Sequence, residues 1–182
     1  SSLLVTQNVT TAPVSGANSA VYRKLTVTPV DYATKRGWRL PLVIGVGERM
    51  VDDPQVRFDY VFMQSVTLTG VEDQCQSAKM IRRGYLLDPF MSGTLKPPFD
   101  VNGDGAYNYT DDANIVDLTG TGSNSVVAQT GSRTTCVGTN CTGAQTCPKS
   151  GLIIGAGSSG GIEACFGPNA IRRAWREIVT TP

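Results

Sequence analysis

The chain has 182 residues, 40% of them hydrophobic and 17% charged, with 16 Lys and Arg against 15 Asp and Glu. That is enough apolar material for a domain with a core of its own, and a net charge of +1 argues against a dedicated nucleic-acid binder. Histidine is absent, which removes Ser-His-Asp and Cys-His catalysis, histidine bases and histidine-ligated zinc.

The first stretches are rich in Val, Ile, Thr, Tyr and Phe and are bounded by turn residues. "SLLVTQNVTT" (2–11), "AVYRKLTVTPV" (20–30), "WRLPLVIGV" (38–46) and "VRFDYVFMQSVTL" (56–68) are predicted strands. In the last, Val56, Phe58, Tyr60 and Phe62 alternate with Arg57, Asp59 and Val61, the period of one half-buried strand. No apolar run is long enough to span a bilayer. "SSLLVTQNVT" carries no basic leader, so it is expected to be a mature end or a cut within a longer protein.

The strongest chemistry lies in "DVNGDGAYNYTDD", residues 100–112. Calcium loops place oxygen ligands at positions one, three, five, seven and twelve, with glycine at six and often a water-mediated ligand at nine. Counted from Asp100, these positions hold Asp100, Asn102, Asp104, the Ala106 carbonyl and Asp111, with Asn108 at nine and Gly105 at six. Hard oxygens suit a hard cation, and glycine permits the turn that aims them inward. Asp111 stands where a longer bidentate Glu is usual, so Asp112 or water is expected to complete the shell. A short helix is predicted after Thr110, over "DDANIVDL" (111–118), and another near 170–179.

Residues 119–150 are mostly Gly, Ser, Thr and Asn, with Cys136, Cys141 and Cys147; Cys75 and Cys165 make five cysteines. The stretch is expected to be a surface excursion stapled by disulfides, because a loop so polar cannot order itself by burial. Spacings of five and six without histidine are poor for zinc. An odd count leaves one thiol free or paired elsewhere, with roughly fifteen connectivities open.

"LIIGAGSSGG" (152–161) fits both G-x-G-x-x-G and G-x-S-x-G. The dinucleotide motif needs a strand–helix–strand unit, but Gly167-Pro168 breaks any helix soon after it. The elbow motif needs a histidine to activate Ser159. A glycine-rich turn between strands, binding no nucleotide, is the expectation. The adjacent pairs Asp52-Asp53 and Asp111-Asp112 are unnatural acid/base pairs, since neighbours on a strand face opposite ways.

The order of features carries a further signal. "PVDYATKRGWRLPL" (29–42) precedes "GERMVDDPQVRFDYVFMQSV" (47–66), then Asp73 and Cys75, "GYLLDPFMSGTL" (84–95), "PFDVNGDG" (98–105), a glycine-rich turn and "RRAWREI" (172–178). This series resembles the C-terminal part of the PilY/PilC-type proteins, tip-associated adhesins and biogenesis factors of type IV pili. In that family a "GW…L" segment precedes "GER", a "DP" strand, a cysteine region, an "LD…TG" turn and "FD.NGDG", with a basic "WRE" segment near the end.

The resemblance runs from about Leu3 to Ile178 and rests on collinear order. It implies an all-β chain, part of a quinoprotein-like β-propeller of several antiparallel blades, with the EF-hand-like calcium loop embedded and the 119–150 insertion added. Residues 1–182 are then a single β-rich, C-terminal propeller fragment. Typical blades take about 40–45 residues, so roughly four fit, too few to close a ring. Upstream blades, a partner strand or self-association are expected to complete it.

The resemblance further implies a non-enzymatic, calcium-binding adhesin or assembly factor on the bacterial surface, reached through the periplasm. Its expected partners are minor pilins at the pilus tip and a host or abiotic surface, with no nucleic acid and no membrane span. The alternatives are a secreted calcium-dependent module for glycan or protein, and a quinoprotein-like enzyme.

Overall fold

The computed structural model describes residues 3–10, 12–16, 20–57, 59–69, 79–93, 95–118, 126–137, 143–154 and 162–166, by their backbone alone at 57, 69, 79, 126–137, 143–154 and 162–163. Every regular element among them is a strand. They are β1 (Leu4–Thr6), β2 (Asn8–Val9), β3 (Val14–Ser15), β4 (Val21–Arg23), β5 (Leu25–Thr26), β6 (Gly37–Arg39), β7 (Arg49–Met50) and β8 (Gln55–Arg57). After these come β9 (Tyr60–Thr69), β10 (Lys79–Leu87), β11 (Ile115–Leu118), β12 (Val126–Val137), β13 (Gly143–Ile154) and β14 (Ile162–Phe166).

A seven-stranded sheet runs β3-β4-β11-β10-β9-β7, with β8 also paired to β9. β12, β13 and β14 form a second, antiparallel sheet, and β1–β6 and β2–β5 are two-stranded ribbons. β1–β6 is parallel; the remaining pairs are antiparallel. The described strands close no barrel or ring of blades.

The centre of the main sheet is the nine-residue pairing of β9 with β10, from Lys79 opposite Thr69 to Leu87 opposite Val61. β10 is covered on both faces: Tyr85, Leu86 and Leu87 in succession have no solvent exposure. Leu86 joins a cluster with Tyr22, Tyr60, Phe62, Phe99, Val101, Val116 and Phe166. Tyr85 and Leu87 join the opposite cluster with Leu25, Val30, Met91 and Ile115, over which Val5, Val9, Trp38, Leu40 and Ile44 are packed. A strand covered on both faces reads as a continuous apolar run rather than an alternation.

Several sequence features change shape in the structure. The predicted single strand 56–68 is a hairpin: β8 turns back on β9, with Gln55 opposite Phe62 and Arg57 opposite Tyr60. Asp59 sits in the turn at φ 71°, a left-handed conformation that Asp tolerates better than most residues. The predicted helix over 111–118 does not form. Ala113 bridges Phe99, and Ile115–Leu118 is β11, because the buried Ala113, Ile115, Val116 and Leu118 fill the sheet. The predicted strand 38–46 shrinks to β6, since Pro41 cannot donate to a ladder.

The stretch expected as a loop excursion instead carries β12 and the start of β13, twelve residues each, paired from Val126–Ile154 to Val137–Gly143. Its Val and Thr content outweighs its glycines. Cys165, on β14, takes part in a disulfide. Cys75 and Cys141 lie outside the described residues, as does the predicted helix at 170–179. "GAGSSGG" (155–161) is also outside, but the strands flanking it, β13 and β14, are antiparallel neighbours, with Ile153 opposite Ile162. A dinucleotide unit needs parallel strands joined by a helix.

At one end of the main sheet the packing turns polar. Glu48, with no side-chain exposure, accepts from the Ser65 and Tyr85 hydroxyls at one oxygen and from the Ile44 and Gly45 amides at the other. Arg83 lies 3.4 Å from Glu48 and donates to Thr67 Oγ1; with Arg23 it also pairs with Asp117 at 3.1 Å. The segment carrying Glu48 presses on β9 so closely that a Cβ at Gly45 would fall 2.6 Å from the Thr67 side chain.

Candidate cation site

The loop over 100–112 leaves the core and returns to it across a narrow base. Phe99 and Ala113, both fully buried, exchange two backbone hydrogen bonds of 3.2 Å. Val101 is buried behind them, while Asn102, Gly103 and Asp104 are exposed at the tip. Gly103 and Gly105 have φ of 78° and 76°, the left-handed conformation that favours glycine. Position six of the sequence pattern therefore carries the turn expected of it.

Asp100 accepts from the amides of Gly103 at 2.7 Å and Gly105 at 2.8 Å, and so winds the first turn. Asn102 Oδ1 accepts from the Asp104 amide, and Asp104 Oδ1 from the Ala106 amide. The Asn102 amide nitrogen lies between two carboxylates, donating to Asp104 Oδ2 and Asp111 Oδ2, both at 2.9 Å. Asn102, Asp104 and Asp111 are thus brought together, while the Asp100 carboxylate is turned to the Gly103 and Gly105 amides. Asn108 is turned aside, its Oδ1 accepting from the Thr110 amide.

Asp112 has a different part from the one its sequence position suggested. It is 1% exposed, and its oxygens accept from the Val101 amide at 3.0 Å and the Asn108 amide at 2.8 Å. It is a clasp across the two sides of the loop. Burial pushes its carboxyl up to about 6; the two amides pull it down, and the charges of Asp100 and Asp111 push it up again.

The donor set fits a hard divalent cation. Asp111 Oδ1 is buried and accepts no hydrogen bond, a costly state for a carboxylate oxygen that a cation would relieve. An amide NH2 bridging two carboxylates supplies the positive end of a dipole where an ion would supply charge. Turned over, the same amide offers oxygen to that point, a choice of orientation set by the surrounding bonds. Among the described residues no three His, Cys, Asp or Glu side chains converge tightly enough to hold a metal by themselves. The ion would draw the Asp carboxylates inward, with the Asn102 oxygen and the Ala106 carbonyl completing the set.

The motifs that carried the family resemblance meet elsewhere. Trp38 Nε1 donates to the Pro89 carbonyl at 2.8 Å, joining the "GW" segment to the "LDP" turn. Asp88, 2% exposed, accepts from the Phe90 and Ser92 amides and the Ser92 hydroxyl. With Glu48 of "GER" bound to Tyr85, these three motifs hold segments to the C-terminal end of β10 and the turn after it. Such packing roles need no ligand.

No protein-family model, no curated protein and no solved structure matches the chain.

Proposed function

We propose that the chain is a calcium-binding, non-enzymatic component of a type IV pilus tip, acting in pilus assembly and surface attachment. Minor pilins and a host or abiotic surface are its partners, and the bacterial surface is its location. The Asn102 amide held between Asp104 and Asp111, beside a buried Asp111 oxygen without a hydrogen bond, supports the calcium assignment. The collinear motifs from "GWRL" to "FDVNGDG" support the pilus assignment. The ligands are Asp100, Asn102, Asp104, the Ala106 carbonyl and Asp111, with Asn108 acting through water. The all-β architecture is compatible with one sector of a larger propeller whose remaining blades lie elsewhere. Among the described residues no helix is long and apolar enough to cross a membrane.

Asp104→Ala tests this function. It removes an exposed ligand and leaves Gly105 and its turn in place. Calcium affinity is expected to fall at least about tenfold, a loss of about 1.4 kcal/mol of binding, and surface piliation or adhesion is expected to fall with it. A variant that loses calcium yet piliates normally makes the ion structural and ends the link between calcium and pilus assembly. A variant that binds calcium like the parent leaves the loop as a turn.

A further inference from the structure

A cavity of about 340 Å3 has Tyr109 of the loop in its wall. Its walls come from Tyr109 of the loop, from Lys24 and Thr26 around β5, and from Thr10, Val27 and Pro29. That volume is at the lower end of small-molecule sites, about 300–1,000 Å3. Resting on the calcium assignment above, we propose that this cavity binds a carboxylate-bearing saccharide, and that calcium in the adjoining loop is needed for it to do so.

Among the described residues lining the cavity Lys24 is the one that is charged, so a ligand carrying negative charge is favoured over a neutral or cationic one. Its ammonium donates to the Thr110 carbonyl at 2.8 Å and keeps two further protons to give. Thr10 and Thr26 bring hydroxyls and Tyr109 its ring; Leu25, Val27 and Pro29 bring apolar surface. Hydroxyls beside an aromatic and an aliphatic surface match a sugar ring, which has a polar edge and an apolar face. A simple carboxylate would use Lys24 alone.

The loop sets the position of both principal groups. The Tyr109 hydroxyl donates to the Leu95 carbonyl at 2.9 Å, which fixes its ring beside the cavity. Lys24 is tied to the loop through Thr110. Tyr109 and Thr110 are followed directly by Asp111 and Asp112. Without a cation the loop's carboxylates oppose an anion in the neighbouring cavity. A divalent cation among them cancels two of those negative charges and so weakens that opposition. By linkage, the saccharide must then tighten calcium by the same factor as calcium tightens the saccharide.

Calorimetric titration of the full chain tests this with the methyl glycosides of glucuronic, galacturonic and N-acetylneuraminic acids. Methyl glucoside and sodium acetate serve as controls, and each titration is run in calcium and in chelator. At least one acidic glycoside is expected to bind saturably in calcium, with both controls, the chelated protein and Lys24→Gln each weaker by about tenfold or more. Binding that survives Lys24→Gln unchanged overturns the cavity as the site. Acetate binding as tightly as the glycosides overturns the saccharide, and equal binding in chelator overturns the requirement for calcium. If the chain binds calcium but none of the three glycosides, this inference alone is overturned. If it binds no calcium, the assignment of the loop falls first and this inference with it.

Discussion

Glu48→Ala is expected to cost about 3–5 kcal/mol of folding stability, the range for breaking a buried ion pair from one side. It leaves Arg83, with 4% side-chain exposure, short of one of its two acidic partners, and strands the Ser65 and Tyr85 hydroxyls and the Ile44 and Gly45 amides. A domain's whole stability is about 5–15 kcal/mol, so the variant should sit close to unfolding. Urea melts provide the measurement, and a midpoint within error of the parent would show that the buried network contributes nothing.

Acid gives a second reading of the same residue. Burial pushes the Glu48 carboxyl up, but the Ser65 and Tyr85 hydroxyls, the Arg83 charge and the Gly45 amide outweigh it and hold the carboxyl below its ordinary value. A carboxyl depressed on folding contributes stability above its unfolded pKa and loses it as pH falls through the folded one. The advantage of the parent over Glu48→Gln should therefore shrink in acid. Asp117 works in the other direction. Burial raises it against the pull of Arg23 and Arg83, so its contribution is present in acid and is lost as pH rises through its folded value.

Chelating calcium is expected to lower the melting temperature. Binding to the folded form adds about 2.7 kcal/mol at a hundredfold excess over Kd, which corresponds to roughly 5–10 °C for a domain of this size. Asp100 and Asp104 should respond differently. Asp100 also holds the Gly103 and Gly105 amides, so Asp100→Ala should melt lower than the parent even in chelator. Asp104 holds only the Ala106 amide and the Asn102 amide nitrogen, at the exposed tip. Asp104→Ala should lose most of its stability difference once calcium is removed. Scanning calorimetry with and without chelator separates the two; equal melting of the parent in both conditions would leave the loop without an ion.

The β character of the chain was legible because Val, Ile, Thr and the aromatics cluster between turn residues, and the loop was legible because its residues are contiguous. Register was harder to read. Val56, Phe58, Tyr60 and Phe62 alternate whether the chain runs straight or folds back at Asp59, and the hairpin keeps the same residue types in order. β10 was hidden because it is buried on both faces, so "RRGYLL" shows no period of two. "DDANIVDL" is expected as a short helix from sequence, and its place in the sheet depends on Tyr22, Arg23 and β10 far away in sequence. The part of Asp112 as clasp could not be read from spacing, because its partners Val101 and Asn108 are brought to it by the fold.

The double coverage of β10 also sets a timescale. Its residues from Arg82 to Tyr85 have strand neighbours on both sides, β9 and β11, and from Arg83 on they are closed to water. An amide in such a place trades its proton for solvent deuterium through opening of the whole domain, whereas frayed tips exchange through local fluctuations. The amides of Arg83 to Leu87 should therefore be the slowest on the chain and agree with one another. Calcium should slow them by the full factor it adds to global stability, although the ion site lies outside that strand. These few protons would then act as a clock for the entire fold, one that hydrogen–deuterium exchange can time from any part of the molecule where an ion or a ligand binds.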